Sequence, residues 1–289
     1  MIKNACLTVL IEDSLEKKDK KGLVAKHGLS VLVEGEVNDA YVRVLMDSGP
    51  SAEALLNNVD VLDVNLRKID AVLLSHGHYD HTDGLIGVLK NINKFVPVIA
   101  HPKLFSPKFS TTRGKLRFIG AAFTQSELRN YGGIPLFARN PVSIAKGITT
   151  TGEIERVTSY ERVTGFFTVE HGQFIKDDII DDQALILNLE GKGLVVVTGC
   201  AHAGVVNTVL HAQKIMKTKK VYAVLGGFHL VDASKERIKA TIEDLKKFDI
   251  KFLGPCHCTG KKALKTLKEA FGDKCRILKT GDVIKFLRF

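Results

Sequence analysis

The length, composition and charge of the chain limit what kind of protein it can be. With 289 residues, 45% hydrophobic and 26% charged, it has the composition of a globular protein, and we expect one domain over residues 1–289. No apolar run approaches the ~20 residues of a transmembrane helix. The first residues also lack the cleavage pattern of a secretion signal, so we expect a cytoplasmic protein that does not bind membranes.

The net charge of +10 raises the question of a nucleic-acid partner. The Lys and Arg residues are spread along the chain, with short clusters only at residues 17–21 and 217–220, and no aromatic platform accompanies them. We therefore expect no nucleic-acid partner and predict that the basic surface attracts a small phosphorylated substrate. Five scattered cysteines do not form a secreted disulfide framework. The sequence leaves open whether the protein forms a homo-oligomer.

The first third of the chain predicts strands that lead to a short helix. Residues 5–11, 29–34 and 41–46 are apolar enough for strands, and the third ends at Asp47 and a glycine turn. Residues 52–56 predict a helix that Asn57 and Asn58 end. His27, just before the second strand, could line a pocket or lie in a surface turn.

The densest group of metal-ligating side chains follows the apolar run at residues 71–74. His76, His78, Asp80 and His81 lie within six residues, and the loop that holds them leaves the carboxyl end of a predicted strand. The alternation with Gly77 lets His76 and His78 converge on one cation, while Asp80 and His81 can face a second. Two cations about 3.5–4 Å apart suit hydrolytic or phosphoryl chemistry. Imidazole and carboxylate donors favour zinc, with manganese, iron or magnesium as alternatives.

Residues 103–180 interrupt this pattern. Short predicted strands are separated by Gly, Pro, Thr and Arg, and no long helix is predicted. We expect a capping insertion over the pocket. Arg113, Lys115 and Arg117 either contact an anionic group of the substrate or form a solvated charged face.

In the second half of the chain, polar residues again follow the ends of predicted strands. Two apolar strands near residues 184–189 and 193–198 precede helices at 205–216, 234–248 and 261–271, with further strands at 222–227, 276–278 and 283–287. Histidines follow three of the predicted strands: His202, His229 and His257. The two halves thus predict related sheet-and-helix units within one domain.

The segment S-H-G-H-Y-D-H-T-D-G at residues 75–84 resembles the signature of the metallo-β-lactamase superfamily. The resemblance implies an α/β fold of αββα type, a four-layer sandwich, with His76, His78, Asp80 and His81 as metal ligands. It also implies that Asp47 orients the metal loop, although an Asp that caps the next helix fits the sequence equally well.

The resemblance extends to the second half of the chain, where the middle of the ligand pattern departs from that of the superfamily. His257 matches the closing histidine of the superfamily, and His202 is the histidine available beside His76 and His78. Cys200 stands where many members have a bridging aspartate. Cys200 either supplies a thiolate or is a small buried thiol, and Asp182 either replaces the missing carboxylate or serves a turn.

Further motifs, among them K-H-G-L-S at 26–30 and T-G-C-A-H-A-G at 198–204, resemble the branch that contains the archaeal dihydropterin-methyl ribofuranosylaminobenzene 5'-phosphate synthases. This implies a transferase of methanopterin biosynthesis, in which an arylamine phosphate displaces diphosphate. We expect Asp80 and His229 in catalytic roles, with His229 as an acid, base or phosphate donor on the active face, although a loop histidine without such a role fits its position equally well. The alternatives are a metal-dependent phosphoester hydrolase and a metal-binding regulator without turnover.

Overall fold

The computed structural model of the protein describes residues 1–16, 22–111 and 114–287. The basic cluster at 17–21 and the predicted anion contact Arg113 lie outside these ranges. The strands within them are β1 (Ala5–Ile11), β2 (Ser30–Val37), β3 (Ala40–Met46), β4 (Ala71–Leu73), β5 (Val96–Ala100), β6 (Lys108–Ser110), β7 (Arg117–Phe118), β8 (Gly133–Phe137), β9 (Ser143–Ala145), β10 (Ile148–Thr150), β11 (Phe166–Glu170), β12 (Gln173–Lys176), β13 (Ala184–Leu189), β14 (Gly193–Thr198), β15 (Val221–Gly227), β16 (Phe252–Cys256) and β17 (Val283–Phe286). The α-helices are α1 (Ala52–Val61), α2 (Tyr79–Thr82), α3 (Leu85–Ile92), α4 (Gln125–Asn130), α5 (Val205–Met216), α6 (Lys235–Lys246) and α7 (Lys261–Phe271).

The strands form two large mixed sheets. The first sheet has the order β17-β1-β2-β3-β4-β5-β8, and the second has the order β16-β15-β14-β13-β10-β9. The neighbours β3, β4, β5 and β8 run parallel, as do β14, β15 and β16, because a helix or loop crosses over between successive strands. The central parallel strands β4 and β14 are buried on both faces, which explains their continuous apolar runs.

Apolar side chains fill three layers between these elements. The inner faces of the two sheets share one core, in which Met46 of the first sheet belongs with Val195 and Leu225 of the second. Helices α1 and α3 cover the outer face of the first sheet. Helices α5, α6 and α7 cover the outer face of the second. This confirms the predicted α/β four-layer sandwich of αββα order.

Most predicted elements form where the sequence pattern places them, with two corrections. Helix α1 does not end at residues 57–58, because the buried Asn58 side chain donates to Leu10 O and Val24 O at 2.7 Å each and is therefore satisfied inside the helix. Residues 276–278 do not form a strand, although Arg276 N donates to Leu253 O at 2.9 Å. Ser234 caps α6 as predicted, since its Oγ accepts from Arg237 N.

The segment at 103–180 divides among three sheets. Strands β6, β7, β11 and β12 form a separate four-stranded sheet, whereas β8 joins the first large sheet and β9 and β10 join the second. Only the four-stranded sheet is therefore an addition to the sandwich, and the cap stays a prediction that concerns this sheet. None of the helices in the described ranges is long and apolar enough to cross a membrane.

Candidate metal centre

The predicted ligands meet because they all follow the carboxyl ends of parallel strands. The loop after β4 and the short helix α2 carry His76, His78, Asp80 and His81. In the other sheet, histidines follow each of the strands β14, β15 and β16. Carboxyl ends of neighbouring parallel strands lie at one edge of a sheet, so residues that are far apart in sequence reach the same place.

The first group of donors consists of His76, His78 and His202, with Cys200 beside them. His76 Nε2 lies 2.9 Å from His78 Nδ1, and the His202 ring centroid lies 4.8 Å from that of His76 and 4.9 Å from that of His78. All three histidines are buried. Within the described part of the chain, neither ring nitrogen of His202 has a hydrogen-bond partner. Such an orphaned buried imidazole fits a missing cation.

The second group consists of His81, His257 and Asp80, again with Cys200. His81 Nε2 lies 3.2 Å from His257 Nε2 and 3.2 Å from Cys200 Sγ. Asp80 Oδ2 lies 3.5 Å from His257 Nε2 and 3.8 Å from His81 Nε2. These donors are imidazole nitrogen, thiol sulfur and carboxylate oxygen, a set that zinc and related divalent ions accept.

Carboxylates behind the donors orient the histidine rings. Asp47 accepts from Ser75 N and Ser75 Oγ at 2.7 Å each, and its Oδ2 lies 2.7 Å from His81 Nδ1. Ser51, not Asp47, caps α1. The structure thus favours the interpretation in which Asp47 orients the loop.

His257 is held in the same way by residues that the sequence did not single out for this role. Its Nδ1 lies 2.7 Å from Asp13 Oδ1, and its N–H donates to Glu12 at 2.7 Å. His27 lines the pocket, with Nδ1 at 2.9 Å from Asp13 and Nε2 at 3.5 Å from Asp80. The contacts of His257 with Glu12 and Asp13 span more than 240 residues of sequence, so local patterns carry no signal for them.

A buried ion pair supports the metal loop from below. Lys108 Nζ lies 2.7 Å from Asp181 Oδ1 and 3.2 Å from Asp177 Oδ2, and Asp181 Oδ2 accepts from Gly77 N at 2.8 Å. A Cβ on Gly77 would lie 2.2 Å from Leu104 O, so only glycine allows the predicted close approach. The sequence gives no signal for the buried ion pair of Lys108, because a single lysine in a short strand is typical of surface charge.

Burial and neighbouring charges shift the pKa values of the two groups of histidines in opposite directions. Burial lowers the pKa of His78 to about 3 and holds the pKa values of His76 and His202 well below their usual range. Burial also acts on His81, but the carboxylates of Asp47 and Asp80 outweigh it and raise its pKa. Neutral imidazoles present a free lone pair to a cation. The lowered pKa values of the first group therefore fit a divalent ion.

The backbone at the centre adopts an uncommon conformation at several positions. Asp47, Ala201, His229 and His257 all have left-handed backbone angles, with φ of 59°, 55°, 43° and 50°. Non-glycine residues in this region are uncommon and concentrate at functional sites. The surrounding sheets hold these turns and so fix the direction of the side chains.

A pocket of about 380 Å³ opens onto the donors. His78, Asp80, His202 and His257 line it, together with His229, whose ring centroid lies 4.1 Å from that of His202. The four-stranded sheet contributes Ser110, Arg117 and Phe166 to the wall. Lys115 is exposed and is not among the described residues that line the pocket.

Comparison with known proteins agrees with this geometry. The β-lactamase superfamily domain matches residues 42–134. Over 268 residues the chain is 40% identical to the 7,8-dihydropterin-6-methyl-4-(β-D-ribofuranosyl)-aminobenzene-5'-phosphate synthase of Methanocaldococcus jannaschii, with 91% of this chain and 90% of that protein covered. The chain belongs to the metallo-β-lactamase superfamily.

Solved structures of the superfamily show the same fold. The crystal structure of Tm1679, described as a metal-dependent hydrolase of the β-lactamase superfamily, is 29% identical with a TM-score of 0.79, and covers 97% of this chain and 98% of that one. The metallo-β-lactamase fold protein YhfI from Bacillus subtilis is 15% identical with a TM-score of 0.55, and covers 98% and 100%. The similarity to YhfI supports the fold alone.

Within this superfamily fold, the structure brings all six predicted ligands together. They are His76, His78, Asp80, His81, His202 and His257. Asp182 has one carboxylate oxygen bound by the backbone, since its Oδ2 accepts from Ala203 N at 2.9 Å, whereas its Oδ1 has no hydrogen-bond partner among the described residues. Burial raises the pKa of Asp182 to about 7. Asp182 therefore anchors the backbone beside His202.

Proposed function

We propose that the protein is a metal-dependent transferase that joins a dihydropterin-methyl diphosphate to a ribofuranosylaminobenzene 5'-phosphate and releases diphosphate, a step of methanopterin biosynthesis. The observation that carries the proposal is 40% identity, over about nine-tenths of both chains, to a protein with this named activity. The buried donors at the pocket support it, because metal chemistry at an open site suits a diphosphate leaving group.

In this proposal His76, His78 and His202 would hold one divalent ion, and Asp80, His81 and His257 a second, with zinc as the ion we expect first. When bound there, such ions neutralise the negative charge that develops on the departing diphosphate. The donors line or adjoin the pocket of about 380 Å³, so a phosphorylated substrate can reach them. The phosphorylated substrates of the proposed reaction also favour the predicted cytoplasmic location of the protein.

The residues of the chain bind the substrates and move a proton in this reaction. The arylamine nitrogen forms a bond to the pterin methylene carbon as the carbon–oxygen bond to diphosphate breaks, and the nitrogen loses a proton. His229 lines the pocket, and its buried Nδ1 has no hydrogen-bond partner among the described residues, so His229 can accept that proton. Asp80 lies at the pocket wall, where it can contact the substrate as well as an ion. Arg117 offers an anion contact at the mouth.

We also propose a single domain over residues 1–289, with the four-stranded sheet as its cap. The cap is supported by the pocket wall, to which this sheet contributes Ser110 of β6, Arg117 of β7 and Phe166 of β11. Arg117 is exposed, whereas Phe166 is buried and its ring lies 5.5 Å from that of His78. The cap thus offers one charged contact and one apolar contact to a substrate.

The test is diphosphate release from the pterin diphosphate by the zinc-loaded protein, measured with and without the arylamine phosphate. The proposal predicts release only when the acceptor is present and formation of the joined product by mass spectrometry. His229→Gln should lower kcat by about 10²-fold or more, the usual size of a lost proton acceptor. Metal binding without any turnover would instead support the regulator interpretation.

A phosphoester hydrolase is the second candidate, since the 29% identical Tm1679 structure is described as a metal-dependent hydrolase. At the same site a water molecule would replace the arylamine as nucleophile. Hydrolysis of phosphate esters or of the pterin diphosphate without an acceptor would favour this candidate and contradict the transferase.

A further inference from the structure

The side chain of Cys200 belongs to both groups of metal donors. Its Sγ groups with donors of His76 and His202 on one side and with donors of His81 and His257 on the other, and within each group the atoms lie no more than 4.8 Å apart. The contact with His81 Nε2 measures 3.2 Å. Cys200 is 3% exposed, so its sulfur faces the donors inside the protein and not solvent.

The separations around His81 are close to those of donors on one ion, and Cys200 lies within 4.8 Å of the donors of the other group. With Zn–S bonds of about 2.3 Å and Zn–N bonds of about 2.0 Å, two donors on one tetrahedral ion lie about 3.3–3.8 Å apart. The His81–Cys200 and His81–His257 contacts are already close to this range. A thiolate has enough lone pairs to bind two cations, and ions that share such a ligand lie about 3.5–4 Å apart.

The charge of the donor set also requires a second anion between the groups. Of the six predicted ligands five are imidazoles and one, Asp80, is a carboxylate, which leaves two divalent ions poorly compensated in a buried site. Asp182 is held beside His202 by the hydrogen bond from Ala203 N to its Oδ2, and although its Oδ1 has no partner among the described residues, it does not share a donor group with His81 and His257 as Cys200 does. A thiolate at Cys200 would lie between the two ions.

We propose that Cys200 is a bridging thiolate that binds both ions of the centre. This inference rests on the metal centre in the proposed function and extends it to the kind of metal. Soft thiolate sulfur favours zinc, cobalt or iron(II) and disfavours magnesium. The centre should therefore retain zinc in the presence of excess magnesium.

The test is X-ray absorption spectroscopy of the protein loaded with zinc alone, after metal content has been measured. A bridge predicts two zinc ions per chain and about one sulfur neighbour per zinc at about 2.3 Å, because both ions bind the same atom. A thiolate on one ion alone gives about half a sulfur per zinc. The Co²⁺-loaded protein should show a sulfur-to-cobalt charge-transfer band in the near ultraviolet.

Cys258→Ser is the matched control, since its Sγ lies 3.5 Å from Cys200 O in the same pocket. The proposal predicts that Cys200→Ser loses the sulfur signal and that Cys258→Ser keeps it. Loss in Cys258→Ser alone, or two bound zinc ions without sulfur in the unaltered protein, overturns the bridge but not the metal centre. If no zinc binds, the result contradicts both the bridging thiolate and the metal centre. The spectrum of the unaltered protein decides the matter even if a variant does not fold.

Discussion

At the scale of a single residue, His202 shows how a predicted metal ligand affects the stability of the metal-free protein. Its ring is buried and neither nitrogen has a partner among the described residues. A buried polar group without a partner costs about 1–3 kcal/mol of stability. The metal-free protein therefore carries a cost at this position that a bound ion would remove.

This cost predicts opposite effects of one substitution on stability and on metal affinity. With chelator present, His202→Leu should leave the free energy of unfolding unchanged or raise it by about 1 kcal/mol, because an unpaired polar ring is removed. Zinc affinity should fall at least about 10²-fold, since a ligand is lost. Urea unfolding and zinc titration measure the two effects.

His211→Leu is the matched control, since it removes another histidine whose Nδ1 has no partner, on α5 and outside all metal-binding groups of the described residues. It should bind zinc as the unaltered protein does. Normal zinc affinity in His202→Leu would remove His202 from the ligand set.

At the scale of elements, helix α5 begins without a cap of its own. The residue before it is Gly204, which has no side chain to accept from the first N–H groups. Glu161, more than forty residues earlier, accepts from Val206 N at 2.9 Å and from Asn207 N at 2.8 Å. The cap thus comes from another segment and ties it to the helix that follows the His202 loop.

The Glu161 cap predicts a pH-dependent stability. Burial raises its pKa above the usual value, and the hydrogen bonds from Val206, Asn207 and Thr158 only partly offset this. A raised folded-state pKa contributes stability below the unfolded value of 4.5, and this contribution is lost as the pH rises through the folded value. The difference in unfolding free energy between the chelator-treated protein and Glu161→Gln should therefore shrink as the pH rises. A difference that grows with pH would mean that the carboxylate is stabilised by its hydrogen bonds.

The buried pair of Lys108 and Asp181 links β6 to the metal loop, and it predicts a large mutational effect. Lys108→Met should lower the free energy of unfolding by about 3–5 kcal/mol, because it leaves the buried Asp181 carboxylate uncompensated. Urea unfolding measures the change. Lys103→Met removes a lysine that pairs with Glu170 at the surface of the same segment and should have little effect. Equal effects of the two substitutions would contradict the role of Lys108.

For the whole molecule, the proposed centre joins the two sheets, since its donors come from loops of both. Ions that bind the folded chain and not the unfolded chain stabilise the fold by about 2.7 kcal/mol at a free concentration of 100 times the Kd. Chelation should therefore lower Tm by about 5–10 °C. Differential scanning calorimetry with and without chelator measures the shift. A single transition in each scan is expected for one domain, and two transitions, or no shift, would count against these interpretations.

The sequence predicted the sandwich through its resemblance to the superfamily, and its local patterns predicted the buried strands and the first candidate ligands. In His76-Gly77-His78-Tyr79-Asp80-His81 the ligands are neighbours in the chain, and the apolar runs before it and at β14 show buried parallel strands. Helices α5 and α7 have the predicted bounds because their apolar periodicity and flanking residues act locally. Local interactions over a few residues leave their mark in the sequence.

Only the tertiary structure decided which distant residues meet. It assigned Asp13 and Glu12 to His257, Lys108 to Asp181 and Glu161 to the start of α5, and it placed Cys200 between two groups of histidines. These contacts depend on the order of strands in two sheets and on the register between them. Such order is fixed by the burial of apolar surface over the whole chain, which no short stretch of sequence encodes.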